Sequence, residues 1–178
     1  MVYLFLAAGF EEMEAIAPLD ILRRAGVRVT TVGVTGKTVC GAHGITVETD
    51  TTDIELSDEL EMIIMPGGLQ GVENLTSSGM VRKAIEFCEQ NGKKMAAICA
   101  APTLLAQRGV LSGKRATCFP DMASEMCDAV YTGEDVCVCD NFVTGKSAGH
   151  SQSFGIKLVE VLRGKEAAQQ VEQALCQN

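Results

Sequence analysis

One cysteine, Cys99, stands where the sequence changes from a strand pattern to a helix pattern. Residues 95–98 form a short apolar run typical of a buried strand, and Pro102 suits the first turn of a helix. Alanines flank the cysteine on both sides, as a sharp strand-to-helix turn requires. Such a turn raises a nucleophile above the carboxyl end of a parallel sheet. The pattern is typical of either a nucleophilic thiol or a buried core cysteine.

The helix after Cys99 would influence its chemistry. Free N–H groups and the positive dipole end at a helix N-terminus favour an anion, so we expect a lowered pKa for this thiol. A thiolate is the form of cysteine that attacks carbonyl carbons. Such a reaction also needs hydrogen-bond donors for the oxyanion and a group that moves protons.

Two other segments follow predicted strands and could supply those groups. Residues 9–14 follow the apolar run 2–7 and include Glu14, and Gly67 and Gly68 follow the apolar residues 62–65. Because the carboxyl ends of parallel strands meet at one edge of a sheet, we expect these segments to lie beside Cys99. Glu14 would then act as a general acid or base, or would bind an oxidised sulfur. The N–H groups of Gly68 and Ala100 would bind an oxyanion.

Strand and helix patterns alternate along the whole chain, which predicts an α/β doubly wound sheet, mostly parallel, with helices on both faces. We expect one domain over residues 1–178. Pro18 predicts a first-turn position or a break in the first helix, and Gly26 predicts its end. The predicted strands are 2–7, 27–34, 62–65, 95–98 and 114–118. Residues 136–139 and 141–144 are predicted to form a two-stranded hairpin, and residues 35–53 an insertion of short strands. The predicted helices are 11–25, 74–91, 121–128, 149–162, 165–176 and part of 53–61. Within 74–91, Ser77 or Ser78 is the predicted cap before residues 80–89.

Composition restricts the classes of function. The formal net charge is −8 over 178 residues, which disfavours binding to nucleic acid or to an anionic membrane. The first residues lack the pattern of a signal or membrane-spanning segment, so we expect a cytoplasmic protein. The eight cysteines form no C-x-x-C pair, and Cys137 with Cys139 lacks the second pair or histidine cluster of a metal site. His43 lies in a glycine-rich segment, which predicts a surface residue. We expect free thiols, no metal and no cofactor.

Three motifs together resemble the ThiJ/PfpI superfamily. They are Ala-Ala-Ile-Cys-Ala-Ala-Pro around Cys99, Pro-Gly-Gly at residues 66–68, and Glu-Glu-Met-Glu at residues 11–14. The branch is that of the Parkinson-disease-associated protein deglycase and the bacterial YajL-like proteins. The resemblance implies a flavodoxin-like fold with a nucleophile elbow, and a homodimer with the first helix near its seam. It also implies that Cys99 is reactive and easily oxidised, that Glu14 contacts it, and that Gly68 and Ala100 are backbone donors.

The chain departs from the family pattern at several positions. Phe119 stands where the human-type branch has a histidine before the proline, although YajL-like members also carry phenylalanine. Residues 147–150 replace the family's Gly-Pro-Gly-Thr loop, which predicts that His150 enters either the pocket or the dimer seam. Gly67 and Phe119 are the other expected pocket residues. The protease branch has a histidine where this chain has Ala100, and the glutaminase relatives need a His-x-Glu that is absent, so peptidase and glutamine amidotransferase activities are disfavoured.

Two functions are compatible with the resemblance. The first is a cofactor-free, cysteine-dependent glyoxalase or deglycase that converts methylglyoxal, glyoxal or their adducts into lactate or glycolate. The second is a redox sensor or oxidative-stress chaperone, in which Cys99 oxidises to a sulfinate and turnover is incidental. We expect the enzyme, with Cys99 as nucleophile and Glu14 as proton relay.

Overall fold

The computed structural model describes residues 1–175, which contain a central sheet, two smaller sheets and six α-helices. The strands are β1 (Val2–Leu6), β2 (Val29–Gly33), β3 (Thr38–Cys40), β4 (Thr46–Glu48), β5 (Met62–Met65), β6 (Lys94–Ile98), β7 (Arg115–Ala116), β8 (Val130–Tyr131), β9 (Val136–Cys139) and β10 (Phe142–Gly145). The helices are α1 (Glu12–Arg24), α2 (Leu69–Ser77), α3 (Gly79–Gln90), α4 (Ala101–Gln107), α5 (Ser151–Arg163) and α6 (Lys165–Ala174).

The central sheet has the strand order β2-β1-β5-β6-β10-β9. All neighbouring strands are parallel except β9 and β10, which pair antiparallel at one edge. The chain leaves β1 toward β2 on one side and returns to β5 on the other, so the strand order reverses between β1 and β5. Ligand sites in such sheets lie beyond the carboxyl ends of the strands at this reversal. The predicted α/β, doubly wound and mostly parallel fold is confirmed.

Each strand of the sheet contributes to two hydrophobic cores, one on each face. Tyr3 and Phe5 of β1 point into the core beneath α2, α3 and α4, whereas Leu4 and Leu6 point into the core beneath α1, α5 and α6. Both faces of the strand are buried because helices cover both. This burial on both faces explains the continuous apolar run in the sequence. The predicted placement of helices on both faces is confirmed.

Helix α1 continues through Pro18, and the predicted break or first-turn position is wrong. A proline in a helix interior removes one hydrogen bond and costs stability, so tertiary packing must hold this segment in place. Helix α5 packs closely here: a Cβ on Gly155 would lie 3.0 Å from the Pro18 Cα and 2.9 Å from Ile21. The helix ends at Arg24, one residue before the predicted end, with Ala25 as its cap and Gly26 at φ +71° after it.

Four predicted elements differ in the structure. Residues 53–61 contain turns and no helix. The helical segment expected over 74–91 is two helices, α2 and α3, and Ser78, one of the two predicted caps, caps α3. The strand expected over 114–118 shortens to β7, which pairs with β8 outside the central sheet. The helix expected over 121–128 is a 3-10 helix over Pro120–Glu125. The segment 74–91 is divided because Ser78 has extended backbone and caps α3, and neighbouring segments determine the conformation of the other three.

The remaining elements follow the prediction. The insertion is the β3–β4 hairpin, the return at the edge is β9–β10 with Asp140 at φ +51°, and α5 follows a short 3-10 turn. The last helix ends at Ala174, and Cys176, where the prediction placed its end, lies outside the described residues. Every cysteine within residues 1–175 is a free thiol, as expected. In that same part of the chain, no helix combines the length and apolarity that crossing a membrane requires. The single domain over 1–178 stays a prediction.

Candidate active site

Cys99 occupies a strained turn between β6 and α4. Its φ of +63° lies in the left-handed region, which residues other than glycine rarely adopt. Two hydrogen bonds hold the turn: the Cys99 N–H donates to the Gly145 carbonyl at 2.9 Å, and its own carbonyl accepts from the Phe119 N–H at 2.9 Å. The side chain is only partly buried. This is the geometry predicted from the sequence, with the thiol raised above the carboxyl edge of the sheet.

Glu14 lies in the first turn of α1 and is fully buried. Its Oε2 accepts a hydrogen bond from the Gly67 N–H at 2.8 Å. Its Oε1 is buried and has no partner of normal hydrogen-bond geometry within residues 1–175, and the Cys99 thiol is the group that interacts with this carboxyl. Glu11 fixes the start of the helix, because its side chain accepts from the Glu14 N–H at 2.8 Å.

Gly67 permits the close approach of these two side chains. A Cβ at this position would lie 2.5 Å from Glu14 Oε2 and 2.9 Å from the Cys99 Cβ, both closer than atoms can pack. The absence of a side chain therefore allows the backbone of residue 67 to fit between the carboxyl and the cysteine. The glycine contributes to the site through its N–H and its small size.

Burial raises the pKa of Glu14 from 4.5 to about 7. The interaction with Cys99 and the Gly67 N–H act in the opposite direction but do not cancel this effect, and the nearby charge of Glu11 adds to it. At neutral pH the carboxyl is therefore divided between its acid and its carboxylate. Such a group can both accept and return a proton at the pH of the cell.

The predicted lowering of the Cys99 pKa is wrong. Burial, and then the charge and hydrogen bond of Glu14, raise the pKa of the thiol above its ordinary value, although the Ala100 N–H acts in the opposite direction. Helix α4 has only seven residues, so its dipole stabilises the thiolate weakly and does not offset the rise in pKa. The thiol and the carboxyl thus form a coupled pair that retains a proton at neutral pH.

A cleft with a volume of about 440 Å³ opens in front of the thiol. Phe119 lines it, as predicted, and is 38% exposed at its mouth. Gly68 and Ala100, which were predicted as backbone donors, also line it, whereas Gly67, which was predicted as a pocket residue, lies between Glu14 and Cys99 and does not. The Ala100 N–H interacts with the Cys99 sulfur, and the Gly68 N–H has no acceptor within residues 1–175. Sequence reasoning missed other lining residues because no motif marks them. They are Leu69, Asp121, Met122 and Glu125.

His150 lies outside this cleft. Its ring bonds to Ser147 through Nδ1 at 2.9 Å and reaches Asp135 through Nε2 at 3.2 Å. The structure therefore gives no support to the predicted entry of His150 into the pocket. Its placement in a dimer seam stays a prediction.

A second carboxylate, Glu12, lies near the site and binds the β3–β4 hairpin. It accepts from the His43 N–H at 2.8 Å, from the Ile45 N–H at 3.3 Å, and pairs with the His43 ring at 2.8 Å. Glu11, Glu12 and His43 place three possible metal-ligand atoms within 4.8 Å of one another. The oxygens of Glu12 are already engaged by the hairpin, which favours a structural role for this group.

Comparisons with known proteins agree with this architecture. The model of the DJ-1/PfpI family matches residues 1–161. The chain is 38% identical over 174 residues to protein dj-1beta of Drosophila melanogaster, covering 96% of this chain and 93% of that protein. The crystal structure of Drosophila DJ-1beta superimposes with a TM-score of 0.92, covering 98% of this chain and 96% of that one.

Two further relatives are informative about chemistry. A Caenorhabditis elegans protein named glutathione-independent glyoxalase DJR-1.2 is 29% identical, over 93% of this chain and 90% of its own. The structure of Toxoplasma gondii DJ-1, described as oxidized, is 30% identical with a TM-score of 0.91, over 98% of this chain and 97% of its own. The extent of these matches confirms the resemblance inferred from the three sequence motifs. The chain belongs to the DJ-1/PfpI family, in its DJ-1 branch.

Proposed function

We propose that the protein is a cofactor-free glyoxalase that uses Cys99 to convert 2-oxoaldehydes such as methylglyoxal into 2-hydroxy acids. The observation that carries this proposal is the buried Glu14 carboxyl beside Cys99, with its pKa raised to about 7. A pKa near neutrality is what a group needs in order to take a proton and return it within one turnover. The glutathione-independent glyoxalase among the relatives supports the same class of reaction.

The reaction begins when the Cys99 sulfur attacks the aldehyde carbon. Glu14 as carboxylate takes the thiol proton during the attack, which overcomes the raised pKa of Cys99. The S–C bond forms, and the C=O π bond becomes an oxyanion. Gly68 and Ala100 line the cleft in which this oxyanion would form, and their N–H groups are the donors that we propose for it. Protonation of the oxyanion gives a hemithioacetal.

A proton shift then converts the hemithioacetal into a thioester. The proton on the former aldehyde carbon is removed, an enediol forms, and a proton is added to the neighbouring carbon. Glu14 is the relay for this shift because it is the titratable group in contact with the sulfur. Water hydrolyses the thioester to lactate and regenerates the thiol, so the overall change is the addition of one water molecule to methylglyoxal. Glyoxal gives glycolate by the same steps, and adducts of these aldehydes could enter as their hemithioacetals or aminocarbinols.

Steady-state release of lactate from methylglyoxal tests the proposal. Cys99→Ser should abolish turnover, whereas Cys40→Ser, which changes an exposed cysteine, is the matched control. The kcat/KM of the unmodified protein should rise as the pH passes through about 7, because Glu14 becomes the base in that range. Turnover that survives in Cys99→Ser would eliminate the mechanism.

One observation favours a second candidate, a redox sensor in which Cys99 becomes a sulfinate. The unpartnered Glu14 Oε1 could donate a hydrogen bond to a sulfinate oxygen when protonated, and a relative has been described as oxidized. Mild peroxide should then add two oxygen atoms to Cys99, measured by intact mass and peptide mapping. A protein that oxidises in this way but releases no lactate would be a sensor or an oxidative-stress chaperone.

We also propose a homodimer whose seam includes α1. Met13 and Ile16 on that helix are 57% and 37% exposed, which is unusual for large apolar side chains and supports a covered surface. Light scattering at micromolar concentration tests the assembly, and a monomeric mass would contradict it. The cytoplasmic location stays a prediction.

A further inference from the structure

A second cavity of about 430 Å³ lies next to the cleft in front of Cys99. The two cavities share four lining residues: Leu69, Ala100, Met122 and Glu125. The second cavity extends away from the thiol between α2 and α4, where Thr76, Thr103 and Gln107 give it a polar wall. A long substituent of a carbonyl compound at Cys99 would follow the path from the first cavity across these shared residues toward the second.

The charged side chains along this path are all acidic. Asp121 and Glu125 line the first cavity, and Glu73 and Glu125 line the second. Within residues 1–175, none of these three carboxylates has a cationic group within ion-pair distance. The fourth, Glu11, is 3.9 Å from the exposed His43 ring. Arg108 reaches the Thr76 carbonyl at 3.3 Å but does not line either cavity.

We propose that this acidic rim, formed by Glu73, Asp121 and Glu125, selects against anionic substrates. The site would admit neutral and cationic carbonyl compounds and exclude 2-oxoaldehydes that carry a carboxylate or a phosphate. This inference rests on the proposed function for its substrate class, but the charge selection itself does not require turnover. Carboxylates around a cleft with low-dielectric walls reduce the local concentration of anions and slow their entry.

Alkylation of Cys99 by two reagents of nearly equal size tests the charge selection without any turnover. Iodoacetamide is neutral and iodoacetate is anionic, and a free thiol such as N-acetylcysteine gives their intrinsic rate ratio. We expect Cys99 to disfavour iodoacetate by about tenfold beyond that ratio at low salt. The excess should shrink toward the free-thiol ratio as salt is added, because screening acts on exposed charges. The proposal would be overturned if Cys99 showed no extra discrimination against iodoacetate at low salt, or if that discrimination did not change with salt.

The double variant Asp121→Asn/Glu125→Gln identifies the source of the selection. It should recover at least about threefold of the lost iodoacetate rate relative to iodoacetamide, because it removes two of the three rim charges and leaves Glu11 and Glu14, which act on the thiol directly, in place. The control Glu166→Gln/Glu172→Gln in α6 removes the same number of carboxylates outside the two cavities and should leave the ratio unchanged. An equal effect of both variants would assign the selection to net charge and overturn the role of the rim. Unfolding midpoints check that the double variant folds, and the salt series decides the matter if it does not.

Turnover of matched substrates connects the selection to the enzyme. Phenylglyoxal and 4-carboxyphenylglyoxal differ only in one carboxylate, and we expect kcat/KM to be about tenfold lower for the acid. Loss of turnover of both compounds, with the alkylation ratio intact, would reject the glyoxalase and retain the charge selection. Equal kcat/KM for both compounds would reject the selection and retain the enzyme.

Discussion

Two glutamates, Glu12 and Glu14, lie two residues apart on one helix, and both are buried, yet their pKa values shift in opposite directions. Burial by itself raises both. In Glu12 the hydrogen bonds from the His43 ring and from the N–H groups of the hairpin outweigh burial, and the pKa falls below its ordinary value. Glu14 receives one N–H, from Gly67, and interacts with the Cys99 thiol. These two interactions do not offset the effect of burial, and the pKa rises to about 7.

Hydrogen-bond donors, more than burial, decide whether a buried carboxylate on this helix anchors the fold or exchanges protons. Glu12 points toward the β3–β4 hairpin, which supplies backbone donors and a histidine. Glu14 points toward the strained turn, where an N–H binds one oxygen and the other has no partner of normal geometry. A carboxylate with several donors is stabilised as an anion, whereas one with few donors retains its proton to higher pH.

The largest effect should come from Glu14→Gln. Glutamine can still accept from the Gly67 N–H, but it cannot relay a proton. We expect methylglyoxal turnover to fall by about 10²–10⁴-fold, as for the loss of a general acid–base group. Peroxide oxidation of Cys99 should persist, because the amide can donate to a sulfinate. Lactate release and intact mass on the same preparation measure both.

The control for this change is the identical substitution two residues earlier, Glu12→Gln. It alters the anchoring of the hairpin and leaves the contact between residue 14 and Cys99 in place. A turnover loss as large as that of Glu14→Gln would show that distortion of α1, and not proton relay, explains the result.

The second effect is on stability against pH. The unfolded chain loses the Glu14 proton near pH 4.5, whereas the folded protein retains it up to about pH 7. Because the folded state binds more protons between these values, stability should fall as the pH rises through this window, by about 3 kcal/mol in total. Urea unfolding of the parent protein and Glu14→Gln, at pH 5 and pH 8, measures this loss. The variant should not show it, and an equal loss in both proteins would contradict the assignment.

The third effect concerns Glu12→Gln at neutral pH. The substitution removes the negative charge that the donors of His43 and Ile45 stabilise, and we expect a loss of about 1–2 kcal/mol in the free energy of unfolding. The sign of the pH dependence is opposite to that of Glu14. The lowered pKa of Glu12 gives stability above its ordinary pKa that is lost as the pH falls through the lowered value. Hydrogen exchange at the amides of His43 and Ile45 should become faster, and unchanged exchange would argue against the anchor.

The smallest effect is local to His43. Its hydrogen bond and charge interaction with Glu12 raise the pKa of the imidazole, so in Glu12→Gln that pKa should move back toward the ordinary value of 6.5. The chain has two histidines, so the NMR signals of their rings can be told apart, and the dependence of the His43 signal on pH measures this change. An unchanged pKa of His43 in the variant would show that Glu12 does not stabilise the protonated imidazole.

Sequence patterns alone predicted most of the fold because its apolar runs are long and its strands are buried on both faces. Those runs identified the parallel strands, and the small residues around Cys99 identified the elbow. The segment from 114 to 128 was predicted poorly because its short strand and 3-10 helix depend on contacts with β8 and the elbow. Residues in the cleft such as Met122 and Glu125 come from that segment, so their role became visible only in the folded chain.

Part of the site could likewise be predicted from the sequence, and part of it depended on the tertiary structure. Residue type and spacing determined that a thiol, a carboxyl and glycine N–H groups would follow neighbouring strands, because parallel strands end at one edge of the sheet. The direction of the Cys99 pKa shift depended on burial and on the position of Glu14, which no linear pattern contains. Likewise, only the tertiary structure gave Glu12 its donors and left Glu14 with few. A pKa is set by the atoms within a few ångströms of the charge, and in this protein most of those atoms come from distant parts of the chain.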